Sequence, residues 1–174
     1  AVVGVDWERN VYVLDLARFK TNKTSVYFDK LADMHSKWGF KWVRCEVTQA
    51  QDTIVQYIKD ELAKDETGRS TLRVEDFRPS RTEGSKEERI GAILQPRYDN
   101  RKVFHGRGGN FKLLEEELIH EHPVHDDLKD SVATAVSSEK IRYPRRPESE
   151  DDDDRDDKEH NVSHVAHGRF GGYV

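Results

Sequence analysis

Two places in the sequence carry side chains whose types and spacing could do chemistry. The denser is His125-Asp-Asp-Leu-Lys-Asp130, where Asp127 and Asp130 stand three apart and share a helix face with Ser131 and Thr134, while Leu128 and Val132 point to the core. Carboxylates stacked in this way repel unless a cation or a partner neutralises them. Hard oxygen ligands that leave water on the ion describe a magnesium or manganese site, and two such ions about 4 Å apart hydrolyse phosphodiesters. A plainer reading makes Asp126 a helix N-cap and Asp127 a partner of the helix dipole, which leaves Asp130 without a role. The second place is Glu46, which closes the apolar stretch Trp42-Val-Arg-Cys45 just before a capped helix and so aims a carboxylate out of the end of a sheet. It could equally be an anion resting on the helix dipole. The expected site brings Glu46, Asp127 and either Asp126 or Asp130 within metal-bridging distance, although about 80 residues separate them.

Cations gather between these acids. Residues 81–112 hold eight Lys/Arg against four Asp/Glu. Lys86, Arg89, Arg97, Arg101, Lys102 and Arg107 are interleaved with Tyr98, Phe104 and Phe111, and glycines flank Arg107. Contact with DNA phosphates is the functional expectation, and a solvated helix face with internal pairing in Lys86-Glu-Glu-Arg89 is the alternative. The Gly-Arg-Gly-Gly run lacks the Lys-Ser/Thr ending of a nucleotide-binding loop. His120, His122 and His125 straddle Pro123 without a cysteine beside them, a poor pattern for zinc and a good one for a solvated turn.

The elements that must position these groups follow from periodicity. Ala1-Val-Val-Gly-Val5 reads as a strand entered without a preceding turn, and the Asp6-Trp-Glu-Arg-Asn10 turn makes a hairpin with residues 11–17. Tyr27, Phe28, Leu31, Met34 and Trp38 recur at helical spacing and stop at Gly39. A strand at 41–46 follows, then a helix opened by the capping pattern Thr48-Gln-Ala-Gln51, then a strand at 71–77. Ser85-Lys-Glu-Glu88 caps a third helix that Pro96 should end, and residues 101–105 allow a strand. Asn110 should cap a fourth helix, which Pro123 stops, and Asp126 should start a fifth. A strand pair followed by alternating helices and strands predicts an α/β fold, a mixed sheet flanked by helices, with its site at strand ends.

Composition bounds the function. The chain has 174 residues, 34% apolar and 36% charged, with mean hydropathy −0.91 and net charge −5. That length suits one domain, and the polar balance leaves part of it outside the core. We read residues 1–138 as the folded unit and 139–174 as an acidic, disordered tail, since residues 148–159 hold nine acids, two bases and no apolar side chain. No apolar run is long enough to span a membrane, and there is no secretory signal pattern. Cys45 is the single cysteine, which rules out an internal disulfide.

The order of pieces resembles the nuclease domain of the large terminase subunit of tailed bacteriophages. The resemblance rests on Val11-Tyr-Val-Leu-Asp15, Val43-Arg-Cys-Glu46 before a Gln-containing helix, Lys86-Glu-Glu-Arg-Ile90, Leu94-Gln-Pro96 with Val103, and His125-Asp-Asp-Leu-Lys-Asp-Ser131, and it covers residues 1 to about 138. It implies a ribonuclease H-like mixed sheet and a two-metal, Mg2+- or Mn2+-dependent endonuclease that cuts concatemeric viral DNA. Glu46 and Asp127 would then be catalytic metal ligands, with Asp126 and Asp130 as further ligands or beside them. Implied partners are double-stranded viral DNA, the terminase ATPase domain (nothing here resembles it), the portal protein and the small terminase subunit. The implied location is the host cell cytoplasm, with no membrane. The family's first catalytic aspartate lies on a strand just before the one that begins here, so the chain reads as a fragment lacking that strand. Asp6, in a turn, and Asp15, on the following strand, are poor substitutes. Two other readings share these features, another nuclease of that fold such as a junction resolvase, and a non-catalytic module that docks on DNA or the portal.

Overall fold

The computed structural model describes residues 1–47, 52–64, 72–78, 84–120, 123–138 and 141–147. The chain forms β1 (Val2–Val5), β2 (Val11–Asp15), α1 (Thr24–Trp38), β3 (Trp42–Glu46), α2 (Asp52–Lys64), β4 (Arg73–Phe77), α3 (Lys86–Asp99), β5 (Val103–His105), α4 (Gly109–Ile119) and α5 (Asp127–Val136). This is a mixed α/β architecture, as expected. The capping pattern at 48–51, Thr71 and His122 lie outside the described residues, as does everything after Pro147.

The strands form two sheets rather than one. Sheet A has the order β1-β2-β5, with β1 antiparallel and β5 parallel to β2, and sheet B pairs β3 with β4 in parallel. Val11 and Val13 point from β2 into the main core, where they meet Ile90 and Leu94 of α3, Leu114 of α4, and Leu128, Val132, Ala133 and Val136 of α5. The alternate residue Tyr12 faces the other way. Sheet B packs on a smaller cluster, Ile58 and Leu62 of α2 with Leu72, joined by Phe28 and Leu31 of α1.

Most element ends follow the sequence. Gly39 takes the left-handed conformation (φ 61°) and its N–H closes α1 on the His35 carbonyl at 2.7 Å. Ser85 and Glu88 make the reciprocal capping box of α3. Two expectations fail. Pro96 lies inside α3, which continues to Asp99. The Arg97 guanidinium donates to the Ile93 carbonyl, and Asn100 binds the Pro96 carbonyl through both its backbone N–H and its side chain, so that last turn is held by bonds the proline does not remove. Asn110 does not cap α4, which starts one residue earlier; its amide instead donates to the Leu16 carbonyl at 2.7 Å, tying α4 to the end of β2. Beyond Ser138, residues 141–147 form a strap that meets the hairpin turn. There Arg9 lies over the Tyr143 ring, and Arg146 lies over Trp7.

Candidate metal-binding cleft

Among the described residues β1 pairs with β2 alone and β3 with β4 alone, so each sheet has one strand with an unpaired edge beside the other sheet. Between those two strands lies a cleft of about 900 Å³, lined by Val2, Val3 and Val5 of β1 and by every residue of β3. Glu46 enters it from the last position of β3. Asp127, Asp130 and Ser131 enter from the first turns of α5. Glu46 is placed there by pairing: β3 and β4 stay in register to Phe77, and the Val47 N–H then bonds the Phe77 carbonyl at 2.8 Å. Sequence residues about 80 apart therefore face one cleft.

The start of α5 is held by a residue that the sequence did not single out. Asp126 is the N-cap position but makes no side-chain cap. Glu117 of α4, only 4% exposed, reaches across instead, and one of its oxygens accepts the N–H groups of Leu128 (2.9 Å) and Lys129 (2.8 Å). Burial pushes the Glu117 carboxyl above its ordinary value, against those two N–H donors and Arg18. Arg18 lies 3.7 Å from Glu117 and 3.4 Å from Asp127, between the capping carboxylate and the cleft.

Cations from α3 neutralise the other acids. Lys86 Nζ stands 2.9 Å from Asp126 and 3.2 Å from Asp130, and Arg89 donates to Asp130 at 2.7 Å. Burial works to lower the Lys86 ammonium, but its two aspartates outweigh that and hold it above the ordinary lysine value. Asp130 and Arg89 are both buried, so this is an internal ion pair that fixes α3 against α5. Asp126 does not line the cleft. Asp127 keeps a side chain 63% exposed, with Arg18 alongside.

Glu46, Asp127 and Asp130 share a cleft, yet among the described residues no three His, Cys, Asp or Glu side chains come together as a metal-holding group. Asp6 and Asp15 are occupied elsewhere. Asp6 accepts from Asn10 and from the Tyr12 hydroxyl, and Asp15 accepts from Trp38 Nε1 (2.9 Å) and Lys37 (3.0 Å). His120 and His125 are both exposed and take part in no such group.

The basic segment also divides, because thirteen steps of helix at about 1.5 Å each put roughly 20 Å between the ends of α3. Lys86 and Arg89, at one end, serve the acids of α5, and the buried Arg89 does not present itself to phosphate. Arg97 folds back on its own helix. At the far end Arg101 and Arg107 are exposed, and Lys102 reaches the Glu8 carbonyl at 3.3 Å. One phosphate-binding strip from Lys86 to Arg107 is therefore replaced by two separate groups.

Glu117 and Arg18 left no distinguishing mark in the sequence. Glu117 ends the run Glu115-Glu-Glu117 on an amphipathic helix, and nothing local separates the buried acid from its exposed neighbours. No family model matches the chain, and no curated protein matches it.

Proposed function

We propose that the chain is the nuclease domain of a viral DNA-packaging terminase, a ribonuclease H-like, metal-dependent endonuclease that cuts concatemeric double-stranded DNA in the host cell cytoplasm. The observation that carries this reading is the cleft between the unpaired edges of β1 and β3, with Glu46 at the end of one strand and Asp127 at the helix beside the other. In the family that the sequence resembles, the first catalytic aspartate lies on a strand directly before β1. A strand set in this cleft would pair with both edges and bring its carboxylate beside Glu46 and Asp127. The donor chemistry fits magnesium or manganese, since carboxylate oxygens are what these hard ions prefer. Two bound ions would stabilise charge on the attacking and leaving oxygens of the phosphodiester. Glu46 and Asp127 are the residues that would hold them. Asp130 keeps α5 in place through Arg89, and Asp126 through Lys86. ATPase domain, portal and small subunit are partners this reading entails.

The test measures plasmid cleavage by the full-length protein. Plasmid cleavage in Mn2+ should fall at least a hundredfold in Glu46→Gln and Asp127→Asn, with thermal stability unchanged, since both side chains face the cleft rather than the core. Undiminished cleavage by folded variants would remove the nuclease assignment and leave a docking module. Asp130→Asn should lose stability as well as activity, which separates the structural acid from the two ligands.

A further inference from the structure

The outer face of sheet A carries a second cluster that the cleft does not use. Tyr12 and Phe104 are cross-strand partners on β2 and β5, and their rings stack with centroids 5.3 Å apart and planes within 20°. They lie on the face opposite Val11 and Val13, and are 37% and 47% exposed. Two large aromatic rings left in water on a sheet cost burial that a core would have recovered. Cross-strand pairing explains the contact between them but leaves their outer faces uncovered.

Cations from three separate segments border the hairpin turn and the turn before β5, at the ends of the strands that carry the two rings. The hairpin turn supplies Trp7, 38% exposed, and Arg9, held at φ 65°. The turn before β5 supplies Arg101, held at φ 54°, and Lys102, whose Nζ touches the Glu8 carbonyl of the hairpin turn. From the strap comes Arg146, whose guanidinium lies 5.2 Å from the Trp7 ring centre. Two acids adjoin Tyr12: Asp6 accepts from Asn10 and the Tyr12 hydroxyl, and Glu8 accepts from Asn10 at 3.3 Å, so both are already engaged within the hairpin turn. Flat, sequence-tolerant π-faces bordered by flexible positive charge are what unpaired bases and their phosphates require.

We propose that this face binds single-stranded nucleic acid, with a base stacked on the Tyr12–Phe104 pair and phosphates held by Arg101, Lys102 and Arg146. The surface is distinct from the cleft, and the proposal stands whether or not the cleft hydrolyses DNA. A duplex keeps its bases stacked within the helix and gains nothing from the rings, so the preference is for an unpaired strand.

The test measures fluorescence anisotropy of a labelled oligothymidylate, its abasic counterpart and a duplex, with the full chain in EDTA so that cleavage plays no part. Wild type should bind the oligothymidylate about tenfold or more tighter than the abasic strand. Tyr12→Leu with Phe104→Leu should erase that difference while leaving the abasic strand bound as before, and Tyr12→Phe should keep it, because the ring and not the hydroxyl does the stacking. Should the double variant fail to fold, Phe104→Leu alone should show about half the effect on a logarithmic scale. Arg101→Gln with Arg146→Gln should weaken both strands and reduce the salt slope by one to two. Equal binding of thymidylate and abasic strands by wild type, or tightest binding of the duplex, or full affinity in the leucine variants, would each overturn the proposal.

Discussion

Among the described residues, sheet A rests on ten buried ones, including Leu114, Val132 and Ala133 with no exposure at all, whereas sheet B rests on Ile58, Leu62 and Leu72 and on a helix, α1, with no buried residue. Apolar burial therefore holds one half far more firmly than the other. Polar bonds join them. Arg44 of β3 donates to the Thr134 carbonyl of α5 and to the hydroxyl of Ser137 just after it, Ser138 donates to Glu75 of β4, and Asp15 of β2 takes Lys37 and Trp38 of α1. Directional bonds of this kind contribute about 1 kcal/mol each, so sheet B should open at a lower free energy than sheet A. Glu46 sits on the weaker half and Asp127 on the stronger. A strand or ligand that bridged the cleft would therefore stabilise the very joint on which the candidate site depends.

The comparison can be broken most directly at the two cores. Leu114→Ala should destabilise the protein by about 3–5 kcal/mol, since a fully enclosed site collapses least around a cavity, and Ile58→Ala by clearly less. Urea unfolding of the two variants measures both, and equal losses would mean that the cores carry equal weight.

A smaller effect tests the joint. Arg44→Met removes the bonds to Thr134 and Ser137 and the guanidinium that covers the Phe77 ring at 4.0 Å, and it should cost about 1–3 kcal/mol. Amide exchange should quicken across residues 42–46 and 73–77 while α5 keeps its protection. Uniform acceleration in both sheets would show that they unfold as one unit.

The smallest effect is in acid. Burial alone would raise the Asp15 carboxyl, but donation by Trp38 and Lys37 outweighs it and holds the group below its ordinary value of 3.8. A carboxyl lowered in the folded state stabilises above its unfolded value, and that contribution disappears as pH falls through the folded one. Asp15→Asn should accordingly lower the melting temperature at neutral pH and show a shallower decline between about pH 5 and pH 2 than the parent. Glu117, raised by burial, acts in the opposite sense, since its share of stability declines as pH rises through its range. An unaltered acid limb in Asp15→Asn would show that this tie between α1 and β2 is not formed in solution.

Much of the architecture was legible in order and type of element because each rests on neighbours within a few residues. The helical stripe ending at Gly39, the capping box of Ser85 and Glu88, and the apolar face of α5 are local patterns, and the chain adopts them as written. Pro96 and Asn110 depart from their local patterns because their roles depend on bonds supplied by Arg97 and by the Leu16 carbonyl, one from a side chain bending back and one from 94 residues away. The same limit applies to charge. Asp126, Asp127 and Asp130 form one cluster in the sequence, and which of them faces solvent, which meets Lys86 and which is buried with Arg89 was decided by the packing of α3 on α5. The division of the strands into two sheets about a cleft was likewise a tertiary outcome, since β-pairing partners are chosen across the whole chain and periodicity shows only that each strand has a face to bury.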